Sequence, residues 1–186
     1  MRSIQNLMNY AWLLAGILLI ANIAAMGQGQ PESQLFPQLK AKTLSGDEII
    51  FPDDLNSLSI LILLFDQNAQ YEVDTWASMI FESFESQAVS YYEIPMMSTL
   101  YKPIGWQIDQ WMRDGIPDKY HGNTATFYGD RSPYFNWLDM TDKSTCYLFV
   151  LDAEGRIIHR DWGAMDQEKR EKLQKILNEK LNEKSK

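Results

Sequence analysis

The stretch TCYLFVLDAEGRIIHRDWG, from Thr145 to Gly163, contains the most informative pattern in the chain. Its first part, CYLFVL, is an apolar run that predicts a strand, and RIIH predicts a second strand. The four residues DAEG between them have the polar and glycine composition of a hairpin turn. The segment therefore predicts an antiparallel hairpin from Cys146 to His159.

Two strands and a helix are predicted before this hairpin. SILILLF, from Ser59 to Phe65, is apolar throughout, which indicates a strand buried on both faces of a sheet that helices cover. Apolar residues then recur at helical spacing from Val73 to Phe84. The β-branched and aromatic residues from Val89 to Ile94 predict another strand, which we expect to end at Pro95 because proline has no backbone donor.

The remaining segments complete an α/β pattern. Leu39 to Leu44 and Ile49 to Phe51 predict a leading hairpin, and an amphipathic helix is expected from Pro103 to Gly115. Residues 116–143 have no clear period, so this segment is either functional or contains small elements. A last amphipathic helix is predicted from Asp166 to Leu181. This order favours a mixed β-sheet flanked by helices, with an N-terminal β-hairpin and a long insertion before the terminal hairpin.

Composition limits the classes of function. The chain has 186 residues, 17 Lys and Arg against 25 Asp and Glu, and a formal net charge of −8. This charge argues against a nucleic-acid partner, because phosphate binding needs a basic face. The chain's one cysteine, Cys146, cannot form an intramolecular disulfide, a cysteine-rich zinc site or a CxxC motif.

The sequence predicts neither a metal nor another cofactor. His121 and His159 are the only histidines, and they do not have the spacing of metal ligands. Oxygen-bearing side chains alternate between Asp66 and Asp74 as they do in a calcium loop. However, Tyr71 stands where that loop needs glycine and Ala77 where it needs glutamate. Capping of the first helix is the favoured interpretation of these polar residues.

The N-terminal residues predict export from the cytoplasm. Ala11 to Met26 is an apolar run preceded by Arg2 and followed by small residues. A spanning helix needs about 20 apolar residues, so this shorter run suits a signal peptide better. We expect residues 1–27 to be a cleaved signal peptide, which makes the mature protein periplasmic or secreted. One alternative is an uncleaved inner-membrane anchor, in which case this segment alone would bind the membrane. The other alternative is a buried core helix.

The two predicted hairpins resemble those of the thioredoxin-like fold. TCYLFVLDAEGRIIHRDWG, Thr145 to Gly163, resembles the terminal hairpin of thioredoxin-like and peroxiredoxin-like proteins. FPQLKAKTLSGDEIIFPDDL, Phe36 to Leu55, resembles the leader hairpin of the exported branch. The resemblance covers residues 36–182, with 28–35 as a polar leader and 183–186 as a tail.

A narrower resemblance points to one branch of that superfamily. LLFDQNAQYEVDTW, Leu63 to Trp76, and MRDGIPDKY, Met112 to Tyr120, are similar to the thioredoxin-like family that contains the mitochondrial ATP-synthase assembly factor. Members of that family lack the redox motif and share a long insertion before the terminal hairpin. This resemblance implies a non-catalytic protein.

The resemblance also implies where a catalytic relative carries its cysteines. That place is the N-terminus of the first helix, where backbone amides and the helix dipole stabilise a thiolate. Counting from Phe65, the two positions hold Gln70 and Val73, neither of which can form a thiolate. Cys146 is either a reactive thiol near this place or, as we favour, a small apolar residue in a buried strand.

Aromatic residues crowd the second helix and the insertion. They either belong to the core or form a partner- or ligand-binding face beside the vestigial redox position. The candidates for that face are Trp106, Trp111, Tyr128, Tyr134 and Trp137. We therefore expect a non-redox protein that binds another protein, in the cell envelope or in the assembly of a membrane complex. The alternatives are a single-cysteine thiol oxidoreductase or peroxidase that uses Cys146, and a small-ligand-binding protein with an aromatic groove.

Overall fold

The sheet is organised around a strand whose residues are all buried. The computed structural model of the chain describes residues 34–84 and 89–183. Leu58–Leu64 forms β3, and each of its seven residues is buried. This strand pairs in parallel with β4 (Val89–Ser98) and in antiparallel with β6 (Tyr147–Leu151). The prediction of a strand buried on both faces is therefore confirmed.

Four more strands and four α-helices surround this centre in the described part of the chain. The other strands are β1 (Leu39–Thr43), β2 (Glu48–Phe51), β5 (Ala125–Gly129) and β7 (Ile157–Trp162). The helices are α1 (Gln70–Phe84), α2 (Gly105–Gly115), α3 (Ser132–Trp137) and α4 (Gln167–Glu183). The strand order is β2-β1-β5-β4-β3-β6-β7, with a parallel centre and antiparallel hairpins at both edges. The predicted mixed α/β fold and both predicted hairpins are confirmed.

Alternate residues of β3 point into two separate apolar cores. Leu61 and Leu63 belong to the core that includes the β1–β2 hairpin, and Ile60 and Ile62 belong to the core that includes α1 and α4. The α1 residues buried in the second core are Val73, Trp76, Met79, Ile80 and Phe84. Their helical spacing is the pattern that the sequence shows, so the prediction of this helix is confirmed.

Hydrogen bonds hold the end of the terminal hairpin against α1. The Trp76 side chain is fully buried among apolar residues, and its Nε1 donates to the Gly163 carbonyl at 2.7 Å. The Asp166 carboxylate accepts from the Lys169 amide at 2.9 Å, which caps the start of α4 as predicted. Hydrogen bonds therefore fix both ends of the connection between β7 and α4.

Two sequence-based boundaries are wrong. β4 continues through Pro95 to Ser98 instead of ending at the proline. Pro95 lies opposite Leu64, the last residue of β3, and from Met96 onward β4 pairs with β5. The proline therefore stands where one ladder ends and the next begins, the place where a missing donor disrupts pairing least.

The second helix differs from its prediction in its start and in its burial. Thr99–Ile104 forms a 3₁₀ helix that contains Pro103, so α2 begins only at Gly105. Of the α2 residues, Gly105 alone is buried, and Trp111 is 62% exposed. The apolar stripe of α2 is therefore not part of either core.

The segment 116–143 contains small elements, which is one of the two alternatives that its sequence left open. It holds a 3₁₀ helix at Asp118–Tyr120, then β5 and α3. β5 lies between β1 and β4, so part of this predicted insertion is an interior strand of the sheet.

No helix in the described ranges is long and apolar enough to cross a membrane. The predicted signal peptide or anchor, residues 1–27, lies outside those ranges. Its cleavage and its role in localisation stay predictions.

We expect Gly155→Ala to destabilise the protein more than Gly163→Ala. Both glycines have positive φ, +77° and +74°, so alanine costs about 1 to 2 kcal/mol at either position. A Cβ on Gly155 would lie 2.6 Å from the Pro52 side chain, whereas at Gly163 its nearest contact is an ordinary 3.6 Å. Overpacking should add about 1 to 3 kcal/mol at Gly155, measurable by urea denaturation. Equal losses of stability in the two variants would show that the Pro52 side chain moves aside without a cost in free energy.

Candidate functional site

The start of α1 lacks the groups that thiol chemistry needs. The Asp66 carboxylate accepts from the Asn68 amide at 2.8 Å and caps a 3₁₀ turn, after which α1 begins at Gln70. Gln70 is exposed, and its amide donates to Asp74 at 2.9 Å. Val73 is fully buried in the core below the helix. One predicted position is therefore a surface amide and the other a core residue.

A carboxylate on the first turn of α1 binds the start of β6. The Glu72 Oε2 accepts from the Thr145 hydroxyl at 2.7 Å and from the Cys146 amide at 2.9 Å. The Cys146 thiol points inward, where its sulfur lies 3.6 Å from the Gly163 carbonyl oxygen. Glu72 thus joins the first turn of α1 to the residues that precede β6.

Cys146 has the opposite electrostatic surroundings from a catalytic cysteine. The residue is completely buried, and this burial together with the Glu72 carboxylate raises the pKa of its thiol to about 12. Reactive cysteines lie near positive charge and have a lowered pKa. The thiol of Cys146 is therefore protonated at neutral pH, and its side chain is not exposed to solvent.

A first cleft, of about 700 Å³, opens on the outer side of Glu72. Thr145, Arg160, Asp161 and Trp162 also line it, and the Trp162 ring is 61% exposed. Neither Cys146 nor the two vestigial positions lines this cleft. It can therefore admit a side chain or a small molecule without exposing a sulfur atom.

A second and larger space, which we call the α1–α2 groove, has a volume of about 1190 Å³. Its floor consists of alternate residues of β4, and its walls are one stripe of α1 and one stripe of α2. The floor residues are Tyr91, Glu93, Pro95 and Met97. The wall residues include Gln70, Asp74, Ala77 and Phe81 from α1, and Ile108, Trp111, Met112 and Gly115 from α2. The start of α1 thus belongs to this groove and not to the first cleft.

The floor of the groove holds a carboxyl group in poorly solvated surroundings. The Tyr91 hydroxyl donates to the Glu93 Oε1 at 2.6 Å, and the Tyr91 carbonyl accepts from the Asn123 amide at 2.9 Å. Burial raises the pKa of Glu93 above its usual value, although the hydrogen bond from Tyr91 acts in the opposite direction. The groove therefore combines apolar and aromatic side chains with a carboxyl group on its floor that can accept further hydrogen bonds.

The structure separates the five aromatic residues that the sequence groups into one face. Trp111 lines the groove, while Trp106, on the same helix, is 69% exposed and does not line it. The Tyr128 hydroxyl lies 2.7 Å from an Asp109 oxygen, beneath α2.

Tyr134 and Trp137 lie elsewhere, on α3. Tyr134 packs edge-to-face on Phe127 and donates to the Gln38 carbonyl at 3.0 Å. The Trp137 indole donates to the Leu35 carbonyl at 3.3 Å. The first of these contacts places α3 against the core that includes the β1–β2 hairpin. Of the five, only Trp111 lies with the start of α1 in a common groove.

Sequence reasoning did not single out Tyr91 and Glu93 for this site. The available signal was the alternation in YYEIPMM, Tyr91 to Met97, which places Tyr91, Glu93, Pro95 and Met97 on one face of a strand. The predicted strand ended before Pro95 and therefore contained only the first half of this alternation.

Neither histidine lines the groove. His121 contacts the Ile116 carbonyl oxygen at 2.8 Å, and His159 is buried with its Nε2 3.7 Å from an Asp161 oxygen. Within residues 34–84 and 89–183, no group of three or more His, Cys, Asp or Glu residues could hold a metal ion.

Comparison with solved structures gives consistent neighbours. The thioredoxin domain of a thiol-disulfide oxidoreductase from Bacteroides vulgatus superposes with a TM-score of 0.53 at 12% identity, covering 80% of this chain and 99% of that one. BsSco, a member of the Sco family of cytochrome c oxidase assembly proteins, gives 0.55 at 9% identity, covering 80% and 95%. This chain has a thioredoxin-like fold.

A third neighbour is the exposed lipoprotein thioredoxin of Streptococcus pneumoniae, with a TM-score of 0.51 at 11% identity, covering 77% of this chain and 99% of that one. No protein-family model and no curated protein sequence matches the chain. The predicted thioredoxin-like fold is confirmed, and the narrower resemblance to the ATP-synthase assembly factor family stays a prediction.

We expect Cys146 to resist alkylation in the native protein. At pH 8, a thiol with a pKa of about 12 is ionised in roughly one molecule in ten thousand, and burial reduces access further. Labelling by iodoacetamide, followed by mass spectrometry, should be slow in buffer and rapid in denaturant. The thiol should start to react only as the pH approaches its raised pKa or as the protein unfolds. Rapid native labelling near pH 7 would contradict this assignment.

Proposed function

We propose that this chain is a non-redox thioredoxin-like protein that binds another protein outside the cytoplasm and assists the assembly of a membrane complex. One observation carries the non-redox part: the chain has one cysteine, and Cys146 is completely buried, with its backbone amide bonded to Glu72. Thiol–disulfide exchange needs an attacking thiolate and a second sulfur atom. Gln70 and Val73, at the start of α1, supply neither.

The α1–α2 groove supports binding as the remaining role of this end of the molecule. Trp111 is 62% exposed at its wall, and Phe81 on the opposite wall is half-buried. Tryptophan and tyrosine dominate the binding energy of protein interfaces when a partner covers them. The groove is open to solvent, as binding of a partner chain requires, whereas a closed cavity could admit only a small molecule.

Two observations support the location and the process. The apolar run at residues 11–26 has the length of a signal peptide. Among the structural neighbours, one is an exposed lipoprotein and another, BsSco, belongs to a family of cytochrome c oxidase assembly proteins. A chain that is exported and lacks thiol chemistry would act on envelope partners by contact alone.

A single-cysteine thiol oxidoreductase or peroxidase is the rival proposal. It needs Cys146 to reach a substrate as a thiolate, and both the burial of this residue and its raised pKa argue against that.

We expect the purified protein to show no turnover in insulin reduction or peroxide consumption. Cys146→Ser should be indistinguishable from the natural chain in both assays, because serine preserves the size of the buried group and removes the sulfur. Turnover that Cys146→Ser abolishes would overturn the non-redox proposal.

We expect Trp111→Ala to weaken partner binding at least tenfold, because an exposed tryptophan becomes buried when a partner fills the groove. The partner is identified by cross-linking in an envelope extract of the producing organism, and its affinity is then measured by biolayer interferometry. Trp106→Ala is the matched control, since it removes an equally exposed tryptophan of α2 at about 140° around the helix. Equal effects of the two variants would exclude the groove as the binding site.

A further inference from the structure

The α1–α2 groove has a strongly one-sided charge. Among the described residues that line it, four are acidic, namely Asp66, Asp74, Glu82 and Glu93, and none is Lys, Arg or His. Three of these carboxylates already have partners: a backbone amide for Asp66, Gln70 for Asp74 and Arg170 for Glu82. Glu93 on the floor accepts only the Tyr91 hydroxyl among the side chains of the described residues.

The aromatic lining of the groove is suited to an alkyl stem and a cation. Phe81 makes ring contacts with Tyr91 and Tyr120 at centroid distances of 5.2 and 4.8 Å. At the rim, the Lys119 ammonium lies 4.5 Å from the centroid of the Tyr120 ring. The chain thus already places one cation of its own against this aromatic cluster, as cation–π attraction favours.

The dimensions of the groove suit an extended segment of chain. Its α1 wall runs from Gln70 to Phe81, which at 1.5 Å per residue is about 16 Å. At about 3.3 Å per residue, this length accommodates about five residues in extended conformation. Mixed acidic and aromatic walls of this length match a peptide segment better than a flat protein face.

We propose that the α1–α2 groove binds an extended basic segment of the partner protein, with a lysine or arginine side chain that meets Glu93 and lies along Trp111. This inference rests on the proposed function and names the chemistry of its partner. Glu93 is partly desolvated, so a partner cation recovers electrostatic energy there that an exposed ion pair would not. An acidic or purely apolar segment would leave this carboxylate without a counter-charge.

The probe that tests the proposal is a phage-displayed library of random nonapeptides, selected on the full chain in mild detergent. We expect enrichment of Lys or Arg at one position. A resynthesised peptide should bind at least tenfold more weakly when that residue is changed to Gln. The unchanged peptide should bind the Glu93→Gln protein more weakly by a similar factor. The two changes together should cost little more than either alone, because both remove the same ion pair.

Glu93→Gln preserves the acceptor for Tyr91, so the fold should survive, and circular dichroism with thermal melting checks this. Asp74→Asn, at an exposed wall residue, is the second variant and should weaken binding in the same direction. The matched control is Glu154→Gln, which removes the same charge from an exposed residue in the β6–β7 turn.

Two results would overturn this inference. One is selection of acidic or apolar peptides without a basic position, and the other is binding that neither Glu93→Gln nor Asp74→Asn weakens. If Trp111→Ala still abolishes binding in that case, the groove and the proposed function stand and only the basic partner is wrong. If Trp111→Ala has no effect either, the groove is not a binding site and both proposals fail.

Discussion

The burial of β3 on both faces is the constraint on which the rest of the structure depends. Leu58–Leu64 offers no polar face, so water must be excluded from both sides of the strand. On one side α1 and α4 supply the cover, and on the other the β1–β2 hairpin and the segment around Leu138 do so. Because α1 must follow β3 directly and lie over it, its first turn is fixed at the end of the sheet where β3 stops.

At that end, an anionic side chain of α1 is bonded to the residues that precede β6. Catalytic cysteines need positive potential, whereas here the Glu72 carboxylate accepts two hydrogen bonds from the start of β6. These bonds satisfy the Cys146 amide and also hold the first turn of α1 to the sheet. The same carboxylate that stabilises this junction also raises the pKa of the adjacent thiol, in the same direction as its burial.

The sequence predicted the elements whose signal is local, and missed those that depend on distant neighbours. SILILLF and the helical spacing after Val73 identify β3 and α1 because burial alone imposes these patterns. β5 is five residues long, and only pairing with β1 and β4 makes Ala125–Gly129 a strand. For the candidate site, the sequence named Gln70, at the start of α1, and Trp111; both line the groove, and their role stays a prediction. The alternation in Tyr91–Met97 places Glu93 on one face of β4, but which helices border that face depends on tertiary packing.

The groove exists because α2 is attached to the sheet through polar contacts at one side of the helix. Asp109 accepts from the Tyr128 hydroxyl of β5 at 2.7 Å, and Arg113 donates to the Leu44 carbonyl at 3.2 Å. These contacts hold the helix above β5, one strand away from the floor formed by β4. A helix attached in this way cannot also press its apolar stripe into the core, so Trp111 stays exposed. A partner that covered this stripe would recover the free energy lost by leaving it in water, which is the physical reason for proposing that the groove is an interface.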